Sequence, residues 1–80
     1  MITLGYLAAN DIVLPRSRVS RRHAVVVNYP DDVWLYDLGS GWGAQLDGVT
    51  FSARALIEGA HDITLGLATL RLAANANLLV

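Results

Sequence analysis

Short β-branched or aromatic runs, broken by turn residues every six to twelve positions, extend along almost the whole 80-residue chain. Strands of that length at that interval pack as a sandwich or barrel, so the chain is expected to be all-β. The clearest run is Ala24-Val25-Val26-Val27, followed by Asn28-Tyr29-Pro30-Asp31-Asp32 as a turn and Val33-Trp34-Leu35-Tyr36-Asp37 as the returning strand. Side chains alternate along a strand, so Trp34 and Tyr36 share one face. Asp47-Gly48, between Ala44-Gln45-Leu46 and Val49-Thr50-Phe51, marks a two-residue hairpin whose central residues both take positive φ. Gly66-Leu67 joins Asp62-Ile63-Thr64-Leu65 to Ala68-Thr69-Leu70-Arg71-Leu72 as a turn with glycine first. Ile63, Leu65, Leu70 and Leu72 then alternate inward. Residues 52–58 alone admit a helical reading, and without helical periodicity they are expected to form a loop or single turn.

Eighty residues suffice for one hydrophobic core and not for two, so residues 1–80 are expected to form a single domain. Apolar residues make up 54% of the chain and mean hydropathy is +0.40, with no cysteine to staple the fold. Part of that apolar surface is expected to be covered by a partner. Six arginines stand against six aspartates and one glutamate for a net charge of −1, so no global field draws the chain to nucleic acid or anionic lipid. No uninterrupted apolar stretch approaches the ~18 residues of a membrane span. The absence of cysteine fits a reducing compartment. The reading is a cytoplasmic chain, alone or within a larger or membrane-anchored assembly, whose partner is another protein, with no nucleic-acid binding and no membrane insertion.

Two segments carry more chemistry than a scaffold needs. Arg16, Arg18, Arg21 and Arg22 fall within seven residues, and Val19-Ser20-Arg21-Arg22-His23-Ala24 leads into the Val25 run. A serine hydroxyl beside backbone N–H groups and guanidinium ions is what a phosphate requires: directional donors plus bidentate charge pairing. Gly39, Ser40, Gly41 and Gly43 crowd around Trp42, which either folds back on the core or meets a bound peptide. The best triad available to an enzyme, Ser20, His23 and Asp37, lacks a nucleophile elbow, and no glycine-rich phosphate loop precedes a helix. His23 and His61 without thiolates are a weak basis for a metal site. No catalysis, metal or cofactor is therefore expected.

Gly5-Tyr6, Asn10-Asp11-Ile12-Val13-Leu14, Val19-Ser20-Arg21-Arg22-His23-Ala24, Asp37-Leu38-Gly39-Ser40, Asp47-Gly48 and Leu65-Gly66 arrive in the order found in forkhead-associated (FHA) domains, and the chain resembles that family from about Thr3 to Leu72. The resemblance implies an eleven-stranded β-sandwich whose loops at one end hold a phosphothreonine peptide. It assigns phosphate binding to Ser20 with Arg21 assisting, and gives His23 an architectural role. Gly5, Asp47 and Gly48 fall on the family's structural positions.

Departures bear on function. Tyr6 stands where the family usually has a phosphate-binding arginine, and Trp42 and Ala44 replace the Asn and Thr of its Asn-Gly-Thr loop, leaving Gly43. Arg16, Arg18 or Arg22 on the neighbouring loop is a candidate to replace the missing charge. The resemblance thus implies a protein-interaction module with a depleted phosphate site, an adaptor or assembly domain like the FHA-like domains of type III secretion inner-ring proteins. The alternative is a phosphothreonine reader in Ser/Thr kinase signalling that uses Ser20 and the loop arginines. The family's first strand has little room before Ile2. The resulting open sheet edge is expected to accept the chain's own tail, residues 75–80, or a second copy as a homodimer. Residues 59–63 carry one residue more than the family's usual pattern and are expected to form a bulge that exposes His61.

Overall fold

A computed structural model describes residues 1–74. Nine strands are present among them: β1 (Ile2–Gly5), β2 (Ile12–Val13), β3 (Ala24–Asn28), β4 (Val33–Asp37), β5 (Ala44–Leu46), β6 (Val49–Thr50), β7 (Arg54–Ile57), β8 (Gly59–Leu65) and β9 (Ala68–Ala74). They form two sheets, ordered β2-β1-β3-β4-β7 and β6-β5-β8-β9, and no described residue is helical. The expected all-β sandwich is therefore what the chain adopts. The strand count differs from the eleven that the resemblance implied.

The core is built by period-2 alternation from both sheets. Leu4, Ala24, Val26, Leu35 and Ile57 of the first sheet meet Ala44, Ile63, Leu65 and Leu72 of the second, all at most 7% exposed. Leu14 and Val19 close this core from the loop between β2 and β3. Burial of each large aliphatic side chain contributes about 1.5–3 kcal/mol. The β3–β4 hairpin pairs Val26 with Leu35 and Asn28 with Val33, and the Tyr29 N–H donates to the Asp32 carbonyl across 2.8 Å to close its turn. Trp34 and Tyr36 lie on the outer face, half-buried, while Val33 and Leu35 point in.

Both glycine turns form where the sequence places them. Asp47 and Gly48 have φ of 51° and 81°, as a type I′ turn demands. At the second turn only Gly66, with φ 62°, is positive, which fits a glycine-first II′ geometry.

Three local expectations are corrected. Residues 54–57 form strand β7 instead of a loop or turn, pairing Ile57 with Val33 and Ala55 with Leu35. Ala55 and Ile57 are buried; the pattern was hidden because the outward Leu56 is also apolar, and partnership with β4 decided it. Residues 59–63 form no bulge, since β8 pairs one-to-one with β9 from Gly59↔Ala74 to Leu65↔Ala68. Gly59, the first residue of β8, takes φ 73°. His61 is half-buried instead of exposed, because its Nδ1 lies 2.6 Å from Asp47 Oδ2.

The strand nearest the amino terminus, β1, is interior to its sheet, between β2 and β3. The sheets end on β2 and β7 and on β6 and β9, and β9 pairs only with β8 among the described residues. The tail expected to fill an open edge falls outside the described residues.

Candidate functional site

The β1–β2 connection (residues 6–11), the β2–β3 loop (14–23), the β4–β5 loop (38–43) and the β8–β9 turn (66–67) lie at one end of the sandwich. Their mutual position is set by backbone contacts that exclude side chains. A Cβ at Gly5 would overlap the Arg21 carbonyl oxygen, so the Ser20-Arg21 backbone rests directly on β1. Tyr6 N–H donates to the Ser20 carbonyl at 3.2 Å and His23 N–H to the Leu4 carbonyl at 2.8 Å. Asn10, 7% exposed, clamps the same segment from beneath: its Nδ2 donates to the Leu7 carbonyl at 3.0 Å and the Arg21 carbonyl at 2.8 Å. Asp11 locks the β1–β2 crossover by accepting from the Thr3 N–H at 2.9 Å and the Thr3 hydroxyl at 3.1 Å. These bonds, the backbone one foremost, hold its carboxyl below the usual range.

His23 is fully buried and joins the two principal loops. Its Nδ1 accepts from the Ser20 N–H at 3.1 Å, so the ring proton resides on Nε2. That nitrogen faces the Gly43 carbonyl at 2.7 Å and Ser40 Oγ at 2.8 Å. Ser40 Oγ in turn donates to Asp37 Oδ1 at 2.9 Å and accepts from the Gly43 N–H at 3.0 Å. The contacts made by His23 are therefore bracing ones. Serine 40 stands between His23 and Asp37, and Ser20 meets the ring through its backbone, so the triad considered from sequence does not assemble.

What this frame displays is donors. Ser20 Oγ makes no hydrogen bond with a described residue. Tyr6, beside it, gathers two arginines: Arg21 Nε donates to the Tyr6 hydroxyl at 3.1 Å, and the Arg16 guanidinium lies 4.9 Å over the Tyr6 ring. Arg18 sits apart from these, its guanidinium 5.3 Å over the Trp42 ring. Trp42 is 61% exposed, so it does not fold back on the core. Arg22 is exposed. Among the described residues Asp47 pairs with His61 and Asp62 with Arg71, and no carboxylate lies within ion-pair distance of the four loop arginines. Such a surface attracts an anion that accepts several hydrogen bonds at once.

Asp47, Gly48 and His61 lie in the second sheet, at the β5–β6 turn and in β8. Besides His61, Asp47 accepts from the Asp62 N–H at 2.9 Å, a structural pin. Sequence reasoning gave no role to Asn10 or Ser40, although both lay in quoted motifs. Their polarity was visible, but that their side chains bridge loops follows only from burial. The aromatic seats of Arg16 and Arg18 left no spacing signal either, since each pair spans two loops.

The sequence matches the FHA domain family profile over residues 2–66. Among solved structures, Mycobacterium tuberculosis EmbR, solved with a low-affinity phosphopeptide, is 30% identical with a TM-score of 0.76 over 79% of this chain and 17% of that one. This chain thus spans under a fifth of EmbR. The FHA-2 domain of the Mycobacterium tuberculosis ABC transporter Rv1747 is 28% identical with a TM-score of 0.75, covering 99% of this chain and 70% of that one. The FHA domain of Chlamydia trachomatis CT664 is 28% identical with a TM-score of 0.79, covering 92% and 74% respectively. Comparison with curated proteins gives no significant match. Profile and fold agree with the loop frame around Ser20 and His23: the chain belongs to the FHA domain family, whose members are phosphothreonine-peptide-binding protein-interaction modules.

Proposed function

We propose that this domain reads phosphothreonine in a partner protein through Ser20, Arg21 and Arg16. The observation that carries this reading is the seating of Arg16 and Arg21 on Tyr6, the residue found in place of the family's arginine. Two guanidinium ions held at that position restore the charge that the substitution removes. Ser20 Oγ supplies a hydroxyl donor beside them, and His23 keeps the two loops in register without touching the peptide. Gly43 presents backbone in the adjoining loop. The setting that suits such a reader is cytoplasmic kinase signalling.

A second reading is an adaptor or assembly domain, as in type III secretion inner rings, that works without phosphate. The exposed Trp42 and the sheet edges favour it, and such an edge is where a second copy would add.

Isothermal titration with a degenerate phosphothreonine peptide pool and its unphosphorylated twin, at low and moderate salt, separates the two. The expected result is binding that needs the phosphate, weakens with salt, and falls about tenfold or more on Ser20→Ala or Arg21→Ala. Equal binding of both pools overturns the reader and leaves the adaptor.

A further inference from the structure

We infer that the outer face of the first sheet is a self-association surface, on which a second copy of this chain packs about a two-fold axis so that Arg54 of each copy meets Glu58 of the other. The loops that carry Ser20 and the arginines lie at the end of the sandwich beyond Asp37, so this inference stands apart from the phosphothreonine reading.

An antiparallel sheet that covers a core on one side commonly presents polar residues to water on the other. This one presents aromatic and aliphatic side chains. Register places Val25, Tyr36 and Arg54 in one row and Val27, Trp34 and Leu56 in the next, on the side opposite the core residues Val26 and Leu35. Val25, though it points outward, is only 8% exposed, so its neighbours on this face cover it. The Arg54 guanidinium lies 4.8 Å over the Trp34 ring. Tyr29, 43% exposed, brings its hydroxyl to 3.0 Å from that of Tyr36. Trp, Tyr and Arg are the residues that dominate binding energy at protein interfaces. Here they hold one another in place before a partner arrives, which lowers the ordering cost of association.

Charge is divided along this face so that the face complements itself. Arg54 opens β7 and Glu58 follows its last residue, about 13 Å further along the chain, with Leu56 midway and on the same side by alternation. Asp32 stands just before β4 on the side of Trp34. A cavity of about 510 Å³ joins Asp32 and Glu58 to Tyr29 and Leu56. Arg54, Asp32 and Glu58 are exposed and lie in no ion pair among the described residues. Half a turn about an axis that crosses the strands through the paired Trp34 and Leu56 lays β7 of one copy over β7 of the other in the opposite direction. Arg54 then falls on the partner's Glu58 with the partner's Asp32 beside it, and the contact is repeated across the axis, as a closed two-fold interface requires. A partner of uniform charge would satisfy one end of this face and be repelled by the other. A second copy satisfies both.

The test is sedimentation equilibrium of the 80-residue chain from micromolar to millimolar concentration. The expected result is a mass that rises reversibly from 8.6 kDa toward twice that value, and rises less at high salt. Arg54→Glu and Glu58→Arg each set like charges against one another at both contacts, so each should weaken association about tenfold or more. An equimolar mixture of the two variants, or one chain carrying both, should recover association to within about threefold, because opposite charges meet again. Thermal melts check that each variant is folded. A chain that stays monomeric at millimolar concentration overturns the inference. A dimer indifferent to the single reversals also overturns it, because such a dimer forms through another surface, such as a sheet edge. Reversals that abolish association with no recovery in either the mixture or the double variant overturn it as well, since Arg54 and Glu58 then do not face each other.

Discussion

Arg21 donates its Nε–H to the Tyr6 hydroxyl across 3.1 Å, and Tyr6 is the residue that stands where the family usually places an arginine. On the phosphothreonine reading proposed above, Tyr6 serves as a platform for Arg21 and Arg16 in place of a direct phosphate ligand. Tyr6→Phe keeps the ring under Arg16 and removes only the acceptor for Arg21. One hydrogen bond of this kind contributes about 0.5–1.5 kcal/mol, so phosphopeptide affinity should fall by about three- to tenfold. Tyr6→Ala removes both seats and should bind more weakly still. Titration of the two variants against one phosphopeptide checks the order, and unchanged affinity for Tyr6→Phe means the hydroxyl does not orient Arg21.

Gly66→Ala should be severely destabilising. The new methyl group would overlap the Arg18 carbonyl oxygen, and the residue must hold φ 62°. Backbone overlap and left-handed strain together cost about 2–4 kcal/mol, a large part of the roughly 4–12 kcal/mol a domain of this size has. Gly39→Ala is the control: φ is 77°, yet nothing lies within 4 Å of the added carbon, so only about 1 kcal/mol of strain is expected. Thermal melts should separate the two by at least about 5 °C, and equal midpoints would show that the β8–β9 turn yields freely to Arg18.

Stability should depend on pH through Asp47 and His61. The His61 hydrogen bond, with the Asp62 N–H, holds the Asp47 carboxyl below its ordinary 3.8, and the bond to Asp47 raises His61 above its ordinary 6.5. A raised histidine stabilises fully below its unfolded value and loses that contribution as pH rises through the folded one. A lowered aspartate stabilises fully above its unfolded value and loses that contribution as pH falls through the folded one. The pair therefore contributes most between about pH 4 and 6.5. Melting midpoints from pH 3 to 9 should lose a component on both sides of that window, and His61→Gln should flatten the alkaline one. An identical alkaline profile in that variant removes His61 as the cause.

Much of the fold was legible because its signals are local. Asp47-Gly48 and Gly66 set their hairpins through positive φ, which few residues other than glycine accept, and alternation along Val33–Asp37 showed which side chains face inward. Strand β7 escaped because Ala55, Leu56 and Ile57 are all apolar, so no alternation is visible until β4 supplies an inner and an outer side. The bulge expected at residues 59–63 came from counting residues, and a count does not reveal that β8 pairs one-to-one with β9 through all of them. For the site, Ser20, Arg21 and His23 were legible as a motif, whereas the bridges through Asn10 and Ser40 were not.

By itself the sequence determined the all-β class, the family and the gathering of arginine at one loop, since each rests on residue type and short spacing. Only the tertiary structure decided what those arginines do. Arg16 is separated from Tyr6 by ten positions and Arg18 from Trp42 by twenty-four. Which guanidinium meets which ring depends on how Gly5 and Gly66 admit the loop backbone against the sheets. Close approach of that kind is a property of packed surfaces, and neighbouring residues along the chain carry no record of it.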